Sequence, residues 1–424
     1  MPATSVLKPI RSILFSIALL LLGNGLINTL LALRGTAEGF STAFLGLIMS
    51  GYFLGFICGT WASSRLIRRM RHIRTFAFCA AICASAALLH PVFIDPWVWL
   101  GLRFVYGLSY ITLITVIESW LNSQATSSDR SRMFAIYMMV NLGALALAQQ
   151  ILRFGSTEGF VLFVVVAILI CWALLPITLT SKPEPGISAR PSSNLVDLAR
   201  FAPLPVASAA LSGLAMGAFW AMTPVYTTGL GFDNASVAMV MSLAILSGAL
   251  FQLPVGRYSD RHDRAGVLAW ITFLAAGVAI LMPFAPGPAA LMALYFAWGG
   301  LAFCLYPLSI AQLIDQLQPD QIVAGSSSML MLHGAGCAVA PVLAGTLMSF
   351  LGGHALPVYI AVVLAGLGGF TLYRRHRVSD LVQGEPAHFE PMVQTGAEAL
   401  DLAFHDHPAD DEESETLQPP QERL

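Results

Sequence analysis

The amino-acid sequence predicts an all-α polytopic membrane protein whose twelve transmembrane helices form two pseudo-symmetric six-helix bundles. Three observations support this prediction: twelve long apolar stretches, basic residues in alternate gaps between them, and similar residues in the two halves of the chain. The composition agrees, because 56% of the 424 residues are hydrophobic and only 11% are charged. Such a chain has too few polar side chains to coat a soluble globule of this size.

Each apolar stretch is long enough to cross a bilayer, which takes about 20 mostly apolar residues in a helix. Continuous apolar runs favour helices over the alternating pattern of a membrane barrel. We interpret the first stretch as an uncleaved span, because no soluble mature domain follows it. The twelve stretches lie at residues 10–33, 42–64, 75–94, 97–121, 133–152, 160–179, 204–228, 235–255, 265–285, 288–313, 325–350 and 355–374.

The basic residues predict the orientation of these spans. Nineteen of the 22 Lys and Arg residues fall on one side of the membrane, whereas Arg34 and Arg153 fall on the other and Arg103 lies within a span. Positively charged loops stay in the cytoplasm. We therefore expect both termini to be cytoplasmic, in a plasma membrane that would be the inner membrane of a bacterium.

Two polar stretches divide the chain. Residues 181–203 are rich in Pro and Ser and are predicted to link a bundle of residues 1–180 to one of residues 204–374. Residues 375–424 contain 12 of the 24 acidic residues. This composition predicts a disordered, solvated cytoplasmic tail.

Similar residues recur at a fixed offset in the two halves. Residues 103–107 (RFVYG) align with residues 295–299 (YFAWG), and the same offset places residues 137–141 (YMMVN) on residues 329–333 (MLMLH). A six-plus-six duplication is typical of transporters, in which two repeats rock about a site near the membrane midplane. The sequence therefore predicts a secondary transporter that moves a small solute by alternating access.

Two motifs resemble those of the major facilitator superfamily. Residues 256–264 (GRYSDRHDR) resemble its signature, with Asp263 where Gly is usual, and the copy after the second span has Ser63 in place of the acid. Arg103-x-x-x-Gly107 is similar to a motif of its fourth span. The resemblance implies the major facilitator fold and a cytoplasmic gate at the signature. The candidate gate residues are Arg65, Glu118, Arg130, Gly256, Asp260, Arg261 and Arg264.

A finer resemblance, to the YcaD-like branch of this superfamily, covers residues 10–374. It rests on residues 116–122 (VIESWLN), 130–132 (RSR), 137–138 (YM) and 306–308 (YPL), together with Asp315. The chain departs from this pattern at two places. Ala148 stands where Gly is usual, and Leu313-Ile314 stands where Ala-Asn is usual. The substrates of this branch are poorly defined, so the resemblance implies no particular solute.

Charged residues within spans are the main functional candidates, because burying an unpartnered charge in a membrane is costly. Arg103 is predicted to bind an anionic group or to communicate with a proton site; the alternative is a packing or snorkelling arginine. Glu118 is predicted to latch a gate through Arg130, Arg132 or the arginines after the second span, among them Arg65, and a protonatable carboxylate is its alternative. His333 fits proton coupling and, equally, a hydrogen bond across a tight helix contact.

Polar and aromatic residues on the spans complete the predicted solute site. Asn24 and Asn28 lie one helical turn apart and therefore share a face. Uncharged amides suit a polar solute, although they also hydrogen-bond between helices. Aromatic stripes are usually packing, and two tryptophans are the exceptions that we place near a ligand. The predicted substrate-binding residues are Asn24, Asn28, Arg103, Tyr106, Tyr110, Asn141, Gln149, Trp220 and Trp298.

Several other function classes are disfavoured by the sequence. We find no convergent acid, base or metal cluster for an enzyme, no Lys-containing phosphate-binding loop for ATP, and no cofactor or metal motif. The basic loops are expected to face lipid headgroups rather than nucleic acid, and we expect a monomer. Proton coupling is predicted. An uncoupled facilitator, a multidrug or lipophilic-solute exporter and, from another class, a substrate-sensing receptor remain alternatives.

Overall fold

A computed structural model describes residues 3–125, 129–178, 195–318, 321–377, 389–392 and 397–404. Within these ranges the chain is helical and contains twelve helices that are long and apolar enough to cross a membrane, which confirms the predicted fold. We call them spans 1 to 12. They run Ile10–Ala37, Thr42–Met70, His72–Leu89, Pro96–Ser123, Arg130–Phe154, Val161–Thr178, Pro203–Gly229, Asn234–Ser259, Arg264–Phe284, Pro288–Ile314, Ile322–Leu351 and Ala355–Arg375.

Local sequence sets where several spans begin. The side chains of Ser41, Asp95, Asp233 and Asp263 accept hydrogen bonds from the first backbone N–H groups of spans 2, 4, 8 and 9. These N-caps satisfy donors that a helix start otherwise leaves without partners. Each loop thereby fixes the residue at which the following span starts.

Glycines allow close contacts between spans within each half. Gly55 of span 2 packs against the backbone of Phe104, and Gly107 of span 4 packs against the backbone of Tyr52. In the second half, Gly299 of span 10 packs in the same way against Ala244 of span 8. Gly107 and Gly299 are equivalent in the sequence repeat, so the repeat extends to the packing of the helices.

The two ends of the bundle differ. We call the end at residues 65–74, 130–132, 257–264 and 374–377 the basic end, because the arginine clusters lie there. At the opposite end the halves are in direct contact. Gln150 of span 5 donates a hydrogen bond to Ser242 of span 8 (2.6 Å), and Gly46 of span 2 packs against the carbonyl of Pro341 in span 11.

The described parts of residues 375–424 differ from the predicted solvated tail. Phe389 and Met392 are buried, and residues Ala397–Phe404 form a helix, which we call the tail helix. The tail helix contacts spans 4 and 5 of the first half and span 11 of the second half. Its apolar residues Leu400 and Leu402 are each 1% exposed. The prediction used the acidic composition of the whole tail and therefore overlooked this short apolar stretch. The acidic run 410–415 lies outside the described residues.

The predicted linker is also partly structured. A short helix, Leu195–Phe201, precedes span 7, which begins at Pro203. Leu198 in this helix is buried. Residues 179–194 lie outside the described ranges.

Candidate functional site

A cavity lies between the two halves, and we call it the central cavity. Spans 1, 2, 4 and 5 line it from the first half, spans 7, 10 and 11 line it from the second, and the tail contributes one residue. The lining residues are Leu21, Asn24, Gly25, Asn28, Met49, Tyr52, Phe53, Phe56, Arg103, Tyr110, Ile114, Tyr137, Asn141, Leu145, Met216, Trp220, Ala221, Ala302, Phe303, Tyr306, His333 and Met392.

Arg103 is the cation of the central cavity. Its side chain is 1% exposed. Nη2 donates a hydrogen bond to Oδ1 of Asn28 (2.6 Å), and the guanidinium carbon lies 4.5 Å from the centroid of the Tyr52 ring. Nε and Nη1 have no hydrogen-bond partner, and no described carboxylate forms an ion pair with this guanidinium. The wall therefore carries a buried positive charge whose neighbours are neutral.

Tyrosines form the wall beside Arg103. The rings of Tyr106 and Tyr110 stack with their centroids 6.1 Å apart, and Tyr52 packs against both rings. Tyr110 and Tyr52 line the cavity, whereas Tyr106 is fully buried behind them. Tyr106, which the sequence predicted to bind solute, instead packs against the guanidinium from behind (5.7 Å).

Glu118 lies behind the cavity wall. Its side chain is 1% exposed, and Oε1 accepts a hydrogen bond from the hydroxyl of Tyr137 (2.8 Å). Tyr137 itself lines the cavity. The carboxylate is therefore buried, and it is connected to the cavity wall through the Tyr137 hydroxyl.

His333 lies on the cavity wall of span 11. Its Nδ1 is 3.2 Å from the carbonyl oxygen of Ala209 and 3.1 Å from Oγ of Ser212, both on span 7. The ring lies 4.6 Å from that of Tyr306, and Gly213 packs against the His333 backbone. His333 therefore joins spans 11 and 7, as the helix-contact alternative predicts, and it also lines the cavity.

The predicted amides fall into two groups. Asn24, Asn28 and Asn141 line the cavity. Gln149 does not, because its Oε1 accepts a hydrogen bond from Thr29 (2.6 Å) and its Nε2 donates to the carbonyl of Gly25 (3.2 Å). Gln149 therefore joins spans 5 and 1, as the helix-contact alternative predicts.

The two predicted tryptophans also separate. Trp220 lines the cavity, whereas Trp298 is fully buried and its ring lies 5.0 Å from that of Phe219.

The sequence reasoning missed most of the apolar wall on span 2. A signal was available, because Met49, Tyr52, Phe53 and Phe56 recur at helical spacing on one face, as expected for one stripe of a helix.

An ion-pair network lies at the basic end, within the second half. Arg264 is 6% exposed and contacts Asp260 (3.0 Å) and Asp315, the residue that follows span 10 (3.3 Å). Asp260 also accepts a hydrogen bond from the backbone N–H of Phe389 (3.1 Å), whose ring covers Gly256. Three predicted gate residues, Gly256, Asp260 and Arg264, therefore lie close together here. Arg65 and Arg261 are exposed, and Arg130 begins span 5.

The described residues contain no group of His, Cys, Asp and Glu that could hold a metal ion. The polar groups on the cavity wall are one guanidinium, three amides, tyrosine hydroxyls and one imidazole. Such a set supplies hydrogen-bond donors and acceptors and one positive charge.

Comparison with known proteins decides the family. The sequence model of the Major Facilitator Superfamily matches residues 13–207 and again residues 206–406. The chain belongs to the major facilitator superfamily. The two matches correspond to the two six-helix halves, and they confirm the resemblance inferred from the motifs. A protein of this superfamily is a multi-pass membrane transporter and not an enzyme.

Relatives and solved structures agree with this family. The chain is 28% identical over 360 residues to an uncharacterized MFS-type transporter, YcaD, of Escherichia fergusonii, with 84% of this chain and 93% of that protein covered. It is 29% identical, with the same coverage, to the YcaD of Escherichia coli O45:K1. The nucleoside transporter NupG has a TM-score of 0.70 at 15% identity, with 86% of this chain and 98% of that chain covered.

A second solved structure has a similar fold. It is a bacterial homolog of the human lysosomal transporter Spinster in an inward-facing and occupied conformation. Its TM-score is 0.72 at 14% identity, and the alignment covers 90% of this chain and 100% of that chain. At these identities the similarity shows the fold alone.

Proposed function

We propose that this protein is a secondary active transporter that carries a small organic anion across the plasma membrane by alternating access, coupled to protons. The observation behind this proposal is Arg103, a buried cation on the wall of the central cavity with two nitrogen atoms that have no hydrogen-bond partner. A buried charge without a counter-charge is costly. An anionic solute beside this part of the wall would supply the counter-charge.

The rest of the cavity wall narrows the class of solute. Asn28 accepts a hydrogen bond from the guanidinium, and Asn24 and Asn141 add amide groups elsewhere on the wall. Phe53 and Phe56 supply an apolar surface. A guanidinium binds carboxylate or phosphate through two parallel N–H groups. The composition of the wall therefore favours an organic anion that also has an apolar part over a sugar or a bare inorganic ion.

Alternating access is supported by a difference between the two ends of the cavity: the halves are in direct contact at one end and are separated by the tail at the other. The halves touch at the opposite end through Gln150 and Ser242 and through Gly46 and Pro341. At the basic end, the tail lies between them. We assign the basic end to the cytoplasm from the distribution of arginines. In this orientation the structure represents an inward-facing state, and rocking of the halves would open the other side.

Proton coupling is assigned to His333, with Arg103 and Glu118 as the other candidates. A carbonyl oxygen only accepts hydrogen bonds, so the contact with Ala209 favours a proton on Nδ1 of His333. The other ring nitrogen is then the site that gains or loses a proton. Protonation there would place a second positive charge in the cavity wall and would strengthen binding of an anion at acidic pH.

We expect the His333→Gln variant to keep solute exchange and to lose accumulation driven by a pH gradient. Glutamine retains a polar side chain near Ser212 but does not titrate. The measurement is uptake into proteoliposomes with and without an inwardly directed proton gradient. His354 lies outside the central cavity, and His354→Gln is the matched control. Gradient-driven accumulation that persists in the His333 variant would exclude this residue as the proton site.

The solute can be identified by the rise in melting temperature that a bound ligand produces. Purified protein is heated with organic anions, sugars, amino acids and lipophilic cations at acidic and at neutral pH, because a ligand that binds only the folded state raises the melting temperature. We expect organic anions to stabilise the protein, and more strongly at acidic pH. Stabilisation confined to lipophilic cations would contradict the proposal and would favour a multidrug exporter.

A further inference from the structure

A segment of the acidic tail occupies the space between the two halves at the basic end. Met392 forms part of the wall of the central cavity. The tail helix, Ala397–Phe404, follows and contacts spans 4 and 5 on one side and span 11 on the other. The described parts of the tail thus contact both halves of the transporter, and Met392 lies on the cavity wall.

The segment is held by polar contacts to span 8 and to Asp260, the residue that follows it. The side chain of Gln252 is fully buried, and its Nε2 donates hydrogen bonds to the carbonyl oxygens of Met392 (3.0 Å) and Phe303 (3.1 Å). The backbone N–H of Phe389 donates to Oδ1 of Asp260 (3.1 Å). Two such bonds, three residues apart, fix which tail residues face the cavity.

Apolar contacts complete the docking. The ring of Phe389 lies directly on Gly256, where any larger side chain would collide with it. Met392, Leu400 and Leu402 are each 1% exposed. In an undocked tail these apolar side chains would be exposed to water. Their burial therefore stabilises the docked position.

Docking at this place has a mechanical consequence. Closure of the basic end requires spans 4 and 5 to approach span 11, and the tail helix lies between these spans. The docked segment also contacts two residues of the gate signature. The Phe389 ring covers Gly256, and the Phe389 backbone N–H donates a hydrogen bond to the Asp260 carboxylate. Since protein interiors are close-packed, the halves cannot meet here until the segment leaves.

We propose that the described tail residues, 389–392 and the tail helix, form a built-in inhibitor of the transporter. In the docked position they lie between the halves at the basic end and prevent that end from closing; release of the tail permits the cycle. This inference rests on the alternating access proposed above. Docking itself is independent of any solute, so the two proposals fail separately.

Electron–electron distance measurements between spin labels test both parts. Labels are attached to cysteines at the exposed positions Arg69 and Gln316 on the basic ends of spans 2 and 10. The half-exposed Cys58 and exposed Cys171 are replaced by Ser, because the other four native cysteines are buried. A second pair, Arg69→Cys with Ala403→Cys, reports the position of the tail helix.

The expected results are specific. The Arg69–Ala403 pair gives one narrow distance distribution in the full chain. It gives a broad distribution in the full-length Leu400→Asp variant, in which a charge replaces a buried leucine. The Arg69–Gln316 pair gives a single long distance in the full chain, and deletion of residues 378–424 adds a population at shorter distance. Deletion of residues 405–424 alone leaves both distributions unchanged.

Two results would overturn the proposal. A broad distribution for the Arg69–Ala403 pair in the full chain would show that the segment does not dock. A narrow distribution for that pair, combined with identical Arg69–Gln316 distances with and without residues 378–424, would show that docking does not hold the basic end open. Neither measurement requires the solute, so failure of the solute assignment leaves both readouts intact.

Discussion

Replacement of Arg103 by Met is expected to abolish binding of organic anions and to leave the ligand-free protein as stable as before. Truncating one partner of a buried, hydrogen-bonded charge pair costs about 2 to 5 kcal/mol, so we expect the dissociation constant to rise roughly 30-fold or more. Stability of the ligand-free protein is expected to persist because Met preserves apolar volume and removes a buried charge that lacks an ionic partner. Thermal melting with and without the anions found by ligand screening measures both effects.

Arg34→Met is the control for this experiment. Arg34 forms an ion pair with Glu38 (2.6 Å) and does not line the central cavity. This variant should bind anions as the unmodified protein does. The opposite pattern for Arg103→Met, in which binding is unchanged and the melting temperature falls, would show that Arg103 is a packing residue.

Replacement of Gly107 by Leu is expected to prevent normal assembly of the first half. A side chain at this position would collide with the backbone carbonyl of Tyr52, and backbone cannot move aside as the end of a flexible side chain can. Overpacking usually costs about 1 to 3 kcal/mol, and a clash with backbone in a helix contact lies at the upper end of this range. The measurement is the yield of monodisperse protein and its melting temperature.

Gly101 offers a matched control on the same span. A Cβ added at Gly101 would meet no atom within 4 Å, so Gly101→Leu should behave as the unmodified protein. If Gly107→Leu and Gly101→Leu gave equal melting temperatures, the close contact between spans 2 and 4 would be refuted. The equivalent Gly299 of span 10, which packs against Ala244, is expected to be as sensitive as Gly107.

The elements of the fold were predictable because their signals are local. An apolar run of sufficient length identifies a span wherever its neighbours lie, and the resemblance of residues 256–264 to a known signature identified the superfamily. Predicted span ends differ from the observed ends by several residues. Span 2, predicted to end at residue 64, continues to Met70, because its last turns are rich in arginine and hydrophobicity alone does not register them.

The candidate site was predictable only in part. Arg103, Asn28 and His333 were identified because a polar group within an apolar run is conspicuous. Gln149 and Trp298 were equally conspicuous, yet one joins two helices and the other packs behind Phe219. Spacing within one helix gives the face of a residue relative to its own axis. It does not indicate which neighbour that face meets.

The sequence by itself determined the number of spans, the twofold repeat, the superfamily and the polar residues available within the membrane. The tertiary structure alone decided which of those residues face the cavity, that Arg103 has no acidic partner among the described residues, and that an apolar stretch of an acidic tail docks between the halves. The physical reason is that lipid and protein interior are both apolar. Hydrophobicity therefore identifies the helices of a membrane protein but does not distinguish the face that meets lipid from the face that meets another helix.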